Sequence, residues 1–446
     1  MRYQKIKSSL VRRFVVRRVD LWNADRVQAD VDITVVDGKV VEILPHSAQQ
    51  PPAGFEILDG RGFVVMPAGV DAQVHLRVPG QEQKETASSG LWAAVAGGVG
   101  ALLTMPNTKP VLDHPSVLDQ ARRALEAATA ATHVRVLYSA AMTMGQRGRE
   151  CVDFGGLARA GVSAFTDDGV GVADDQVMAA VFRGASRTGL PVLQHAEFPG
   201  HGGVLAEGPV QRSIGASAYP ASAEIEMVRR DLRLLREIPE ARYHVLHVSA
   251  AETLKLVREA RRHGLRVSCE VSPHHLYFTA DDIDQQDSSF KMNPPIRSQA
   301  DRSAMRHALS VGDCDFMSTD HAPHEAEVKT SNFKTSAFGT TGLETSLRVL
   351  IELWRIGQLT STRLVQIWST SPAKFLGIDQ DFGCIAVGRR FNAVLCDVLA
   401  PSTLIMPGDL VGLSKNNCFI GQRLPGCLKA TILGTNVHSL DGVFAS

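Results

Sequence analysis

Five short apolar runs, each ending in side chains able to bind a metal ion or a polar ligand, constrain the fold of this chain more than any other feature. They are Gly69-Val-Asp-Ala-Gln-Val-His75, Ala164-Phe-Thr-Asp-Asp-Gly169, Pro191-Val-Leu-Gln-His195, Tyr243-His-Val-Leu-His247 and Asp315-Phe-Met-Ser-Thr-Asp320. Each reads as a buried parallel strand delivering a side chain at its C-terminal end. Residues i and i+2 of a strand share a face, so His75 and the residue two before it point the same way. A His-x-His pair there grips one metal ion; here the first position is Gln73, a neutral amide. A lone histidine at a strand end is more often structural, but four further endings of this kind, separated by helix-sized intervals, are not a chance pattern.

Helix-like stretches at 117–131, 175–188, 223–237 and 251–263 alternate with the strand-like runs from about Met66 to Leu376. That alternation marks repeated βα units. Polar strand ends converge when such units close into an α/β barrel of the TIM, (β/α)8, type, whose sites lie at the C-terminal face. The chain ends look different. Residues 32–36, the turn Asp37-Gly38 and residues 39–44 resemble a hairpin, and 388–398 and 429–439 have the same short-strand character. Few-stranded units are marginal in water, so the two ends are expected to form one small β-sandwich-like domain, 1–65 with 386–446, beside a hydrolase barrel at 66–385.

The 446 residues suffice for a barrel and a smaller domain. Lys plus Arg, 47, equals Asp plus Glu, 47, so no net charge points to nucleic acid or to an anionic membrane. A small-molecule substrate is expected. The seven cysteines show no Cys-x-x-Cys spacing and read as reduced thiols of a cytoplasmic protein. No apolar run is long enough to span a membrane. The first eighteen residues carry seven Lys or Arg and no acid. A solvated tail is expected there, with an organelle-targeting peptide as the alternative.

His75, Asp168, His195, His247 and Asp320 offer three imidazoles and two carboxylates, a donor set suited to zinc or a similar divalent ion. A bridging carboxylate would allow two ions sharing an activated water. Within Asp167-Asp168 the residues alone leave either acid open. The stretch 196–222, with Pro199-Gly-His-Gly-Gly203, reads as a lid or an ordinary long loop. His201, His274, His275 and His321 read as structural.

Several motifs are more specific: His75-Leu-Arg77 with Pro79-Gly80, Met105-Pro-Asn-Thr-Lys-Pro110, Thr166-Asp-Asp-Gly169, Asn293-Pro-Pro-Ile-Arg297, Thr319-Asp-His-Ala-Pro-His324 and Phe338-Gly-Thr-Thr-Gly-Leu-Glu344. With them the chain resembles the long bacterial dihydroorotases of the amidohydrolase superfamily, from Met66 to Gly388. The resemblance implies one or two Zn2+ ions held by His75, Asp168, His195, His247 and Asp320, with Asp168, the second acid of its pair, bridging. It implies substrate contacts from Arg77, Asn107, Asn293, His324 and the backbone of Phe338 and Gly339. The implied reaction is reversible hydrolysis of the cyclic amide of dihydroorotate to N-carbamoyl-L-aspartate, in pyrimidine synthesis. A metal-activated water would attack the ring carbonyl, and Asp320 would carry its proton to the departing nitrogen. Hydantoinase- and allantoinase-like relatives share the cage but generally lack Arg77 and the Met-Pro-Asn-Thr piece. Homodimers, and association with aspartate transcarbamoylase, occur among such proteins.

Gln73 departs from that pattern. An amide oxygen is a poorer zinc donor than imidazole, so the position shared with His75 is expected to bind weakly or stay empty. Three states follow: an enzyme with one firmly held metal, a slow enzyme with a labile pair, or a non-catalytic partner supporting aspartate transcarbamoylase assembly. The survival of the other ligands, the base and the arginine favours catalysis.

Overall fold

Eight parallel strands form the central sheet: β1 (Gly69–Val74), β2 (Val99–Thr104), β3 (Arg135–Ala140), β4 (Ala164–Phe165), β5 (Pro191–Gln194), β6 (Arg242–Val245), β7 (Val267–Val271) and β8 (Phe316–Met317). The computed structural model describes residues 6–51, 53–198, 200–330 and 332–439. Each strand pairs with the next in chain order. The last meets the first through a parallel bridge, Val74 with His321, and His75 N donates to His321 O at 2.9 Å. This closure is decided by side chains as well: Asp71 accepts from Thr319 N at 3.1 Å and Thr319 Oγ1 at 2.6 Å.

Every residue of β1 and β2 is buried, as expected of strands covered on both faces. Helices Pro115–Thr132, Asp175–Ser186, Ser222–Leu235, Ala251–Arg262, Gln299–Val311 and Ser346–Arg355 surround the sheet. Their starts are encoded locally. Asp174 accepts from Gln176 N and Val177 N, and Ser298 forms a capping box with Asp301, satisfying first-turn N–H groups that have no helical partner. Gly69, where β1 begins, has no room for a side chain: an added Cβ would lie 2.3 Å from the Trp368 ring.

Both chain ends build a nine-stranded second sheet. Asn392–Asp397 pairs with Val64–Pro67 on one side and Cys427–Leu433 on the other, while Arg13–Trp22 pairs with Val27–Val36, which continues into Lys39–Pro45. Its apolar cluster, including Phe14, Ile33, Leu58, Phe391 and Ile432, is separate from the barrel core. The strand Val64–Pro67 crosses the boundary expected at 65/66.

The basic N-terminus is not a solvated tail. Lys7–Leu10 pairs with Asn436–Ser439, and Arg13–Trp22 is a central strand in which Phe14, Val15, Val16, Val19, Leu21 and Trp22 are buried while Arg13 and Arg18 are exposed. Its arginines supply the solvent face of that strand; residues 1–5 lie outside the described residues. The stretch 196–222 is not structureless either: Leu205–Ala206 pairs with Ala218–Tyr219 around the short helix Pro209–Ser213. Pro199 lies outside the described residues. Among the described residues no helix is long and apolar enough to cross a membrane.

Candidate metal centre

The barrel strands end around a cavity of about 230 Å³. His75 follows β1, Asp168 lies beyond β4, His195 directly follows β5, His247 lies beyond β6 and Asp320 beyond β8. All five line the cavity, as do Arg77, Asn107, Asn293, His324, Phe338 and Gly339. Gln73 does not; it is fully buried.

Asp168, His195 and His247 hold ligand atoms that all lie within 4.8 Å of one another, and they form the one such group of three or more among the described residues. His195 Nδ1 is 3.0 Å from His247 Nε2 and 3.9 Å from Asp168 Oδ1, and His247 Nε2 is 4.0 Å from the same oxygen. Burial holds the pKa of His247 well below its usual value, so its lone pair is free for a metal. Burial also works against a charged His195, but the hydrogen bond to Glu197 and the Asp168 charge outweigh it and raise its pKa. Two nitrogen donors and a carboxylate at this spacing suit a divalent metal ion.

The other half of the expected ligand set is arranged differently. His75 Nε2 lies 3.1 Å from Asp168 Oδ2 and 3.2 Å from Asp320 Oδ1, and its Nδ1 is 2.9 Å from Asn107 Oδ1. Burial, reinforced by Arg77, lowers the His75 pKa to about 4. Gln73 Nε2 donates to Asp168 Oδ1 at 3.1 Å, while Gln73 Oε1 is buried without a hydrogen-bond partner. The amide thus presents a donor, not a ligand oxygen, to the carboxylate. The donor set fits one metal beside His195 and His247 and fits a second beside His75 poorly.

Asp167 faces elsewhere. Its Oδ1 accepts from Met142 N at 2.7 Å and Thr143 N at 3.1 Å, and Oδ2 accepts from Thr143 Oγ1. It ties β4 to the end of β3 and leaves Asp168 to the cavity.

Arg77 is anchored at the cavity wall. Its Nε donates to Pro323 O at 3.2 Å and Nη2 lies 3.3 Å from His324 Nε2. Burial and the adjacent Arg77 drive the His324 pKa down to about 2, so His324 is neutral and accepts from the guanidinium. Burial pushes Asp320 up to about 7, against the pull of His195, Arg77 and His321. Arg77, His247 and Asp320 adopt φ of 62°, 29° and 48°, a region where a side chain costs on the order of 1–3 kcal/mol. The fold holds three cavity residues in strained backbone, as pre-organised sites do.

Three residues around the cavity carry weight that the sequence reading did not assign. Glu197 accepts from the other nitrogen of His195 at 3.2 Å and from Asn293 Nδ2 at 2.7 Å. Lys329 Nζ donates to the carbonyls of Ser288, Lys291, Ala337 and Gly339, pinning the Phe338–Gly339 wall. Asn416, from beyond the barrel, caps Ala322 O and Gly339 O through Nδ2 and receives His324 N through Oδ1. Only Glu197 left a sequence signal, standing two residues past His195; the chain turns between them, with Glu197 N donating to His195 O at 3.0 Å.

Comparison with known proteins gives this site a family. Residues 64–434 match the model of the amidohydrolase family. The chain is 38% identical over 422 residues to the dihydroorotase of Shouchella clausii (strain KSM-K16), covering 93% of this chain and 96% of that one. It is 40% identical over 415 residues to the dihydroorotase of Anaeromyxobacter dehalogenans (strain 2CP-C), covering 92% and 94%. The L-hydantoinase of Arthrobacter aurescens superposes with a TM-score of 0.84 over 97% of both chains at 24% identity, which speaks for the fold alone. Sequence identity, barrel and convergent His/Asp cluster agree, and the chain belongs to the amidohydrolase family, within its dihydroorotase group.

Proposed function

We propose that this chain is a zinc-dependent cyclic amidohydrolase interconverting (S)-dihydroorotate and N-carbamoyl-L-aspartate, in the cytoplasm. The observation that carries the reading is the meeting of a His/Asp metal group, a buried carboxylate and a buried arginine in one small cavity of a chain about two-fifths identical to named dihydroorotases. The seven free cysteines are in keeping with a reducing compartment.

Asp168, His195 and His247 would hold the metal. A zinc ion there would polarise the scissile carbonyl and acidify a water molecule. Arg77 would pair with the substrate carboxylate, orienting the ring toward the ligand group. Asp320, adjacent to His75 and kept from full ionisation by burial, is suited to take a proton from the attacking water and return it to the leaving ring nitrogen. His324 and the backbone at Phe338 and Gly339 would frame the rest of the ring.

Gln73 supports a centre with one firmly held metal, because it turns an amide N–H to Asp168 Oδ1 where a second imidazole would stand beside His75, leaving that position short of a ligand. The same residue is what favours the second reading, a non-catalytic partner of aspartate transcarbamoylase. The two separate in one experiment: zinc-reconstituted protein and Asp320→Asn are assayed with dihydroorotate and N-carbamoyl-L-aspartate, with metal content measured. Turnover in the wild type and its loss by about 10²-fold or more in the variant is expected. Absence of both metal and turnover in the wild type would favour the scaffold reading.

A further inference from the structure

His195 has two ring nitrogens, and the fold gives each a separate neighbour. Nδ1 faces the ligand group, 3.0 Å from His247 Nε2, and Nε2 lies 3.2 Å from Glu197 Oε2. The same Glu197 oxygen lies 2.7 Å from Asn293 Nδ2. A carboxylate in its charged form only accepts, so both neighbours must donate to it. That requirement fixes the tautomer of His195, with the proton on Nε2 and the lone pair on Nδ1. It also fixes the amide of Asn293, whose Oδ1 is buried, has no partner among the described residues, and belongs to a cavity-lining side chain.

We propose that Glu197 is a positioning residue that couples metal binding to substrate recognition: it holds His195 Nε2–H so that Nδ1 ligates, and holds Asn293 Nδ2 so that Oδ1 is left to accept an N–H of the substrate. The second half rests on the function proposed above, since the ring of a cyclic ureide offers such an N–H. The first half does not. Asn293 presents an oxygen to the cavity because its nitrogen is already committed. The loop that follows wraps this carboxylate closely; a Cβ on Gly202 would lie 1.9 Å from Glu197 Oε1. Carboxylate–histidine–metal chains of this kind orient the ligand and raise its basicity, and breaking one typically costs 10- to 100-fold in metal affinity.

The test compares full-length, zinc-loaded wild type with Glu197→Ala and Glu197→Gln, reading three things: the rate of zinc release to a chromophoric chelator, the split of KM from kcat with dihydroorotate, and thermal unfolding. Glu197→Ala is expected to release zinc about 10- to 100-fold faster and to raise KM by about tenfold, the effect of losing one oriented hydrogen bond. Glu197→Gln keeps one oxygen, which can accept from both His195 Nε2 and Asn293 Nδ2 as Oε2 does, but removes the negative charge. It is expected to release zinc faster than the wild type but more slowly than Glu197→Ala, with KM raised less than in Glu197→Ala, and it carries the test if the alanine variant does not fold. Zinc release at the wild-type rate in both variants overturns the metal half, and an unchanged KM overturns the recognition half. A lowered melting temperature with neither change would make Glu197 a structural peg and overturn both. If the wild type turns over no dihydroorotate, the activity reading falls, while the release rates still decide the link from Glu197 to His195.

Discussion

Gln73 Nε2 donates a 3.1 Å hydrogen bond to Asp168 Oδ1, the oxygen that also faces His195 and His247. At the position where the dihydroorotase pattern implies a first histidine ligand, this chain therefore puts a donor against the carboxylate. Gln73→His should replace that donor with an imidazole and raise metal content from about one toward about two per chain, with a gain in rate. Elemental analysis after removal of loosely bound ions checks it. An unchanged content would mean that position 73 does not limit the second site.

Arg77 is held by Pro323 O and His324 Nε2 with its backbone at φ 62°. Arg77→Lys keeps the charge but loses the planar fork that meets a carboxylate with two hydrogen bonds. KM for dihydroorotate should rise by about tenfold or more, corresponding to ~1.4 kcal/mol or more, with metal content unchanged. Steady-state kinetics together with metal analysis decide the point. A wild-type KM would remove Arg77 from the substrate site.

Asp167 and Asp168 are adjacent, yet only Asp168 faces His195 and His247. Asp167→Asn keeps an acceptor for part of the Met142–Thr143 network but sets an NH2 against at least one donor there. A stability loss on the order of 1–3 kcal/mol is expected with metal content retained. Asp168→Asn should do the reverse, losing metal. Denaturant unfolding and elemental analysis of the two variants give the comparison, and metal loss in Asp167→Asn would reverse the assignment.

The buried Glu85 and the partly buried Glu344 hold one loop: Glu344 accepts from Val411 N at 2.6 Å and Gly412 N at 3.2 Å, and Glu85 accepts from Leu413 N at 2.9 Å. Burial raises the Glu344 pKa from 4.5 to about 7, outweighing those backbone donors. Between these two values the folded state keeps a proton that the unfolded chain has released. Glu344 therefore contributes stability at pH below 4.5 that is lost as pH rises through about 7, up to on the order of 3 kcal/mol. In melting curves from pH 5 to pH 8 the wild type should lose ground relative to Glu344→Gln. Parallel curves would show that Glu344 does not titrate in this range.

Much of this molecule was legible before folding because two periodicities are local. Side chains of a buried strand run in apolar blocks, and the helices between them repeat at 3.6 residues, so 117–131 and 251–263 read correctly to within a few residues as Pro115–Thr132 and Ala251–Arg262. The residues that gather at the cavity were legible for another reason: each is the polar end of such a block, and a barrel sends every strand end to one face. The charge count of the first eighteen residues misled because it ignores the apolar residues between the charges. Arginines on the outward face of Arg13–Trp22 are compatible with a buried inner face of Phe14, Val16, Val19 and Leu21.

The sequence by itself determined the barrel of alternating strands and helices, the ligand chemistry available and the anomaly at Gln73, since these depend on residue type and short-range spacing. Only the tertiary structure decided that Asp168 rather than Asp167 meets His195 and His247, that Gln73 offers its N–H rather than its oxygen, and that Glu197 joins His195 to Asn293. Those choices are rotations about single bonds. Most of the hydrogen bonds that fix them reach partners 24 to 96 positions away, and no local pattern carries that information.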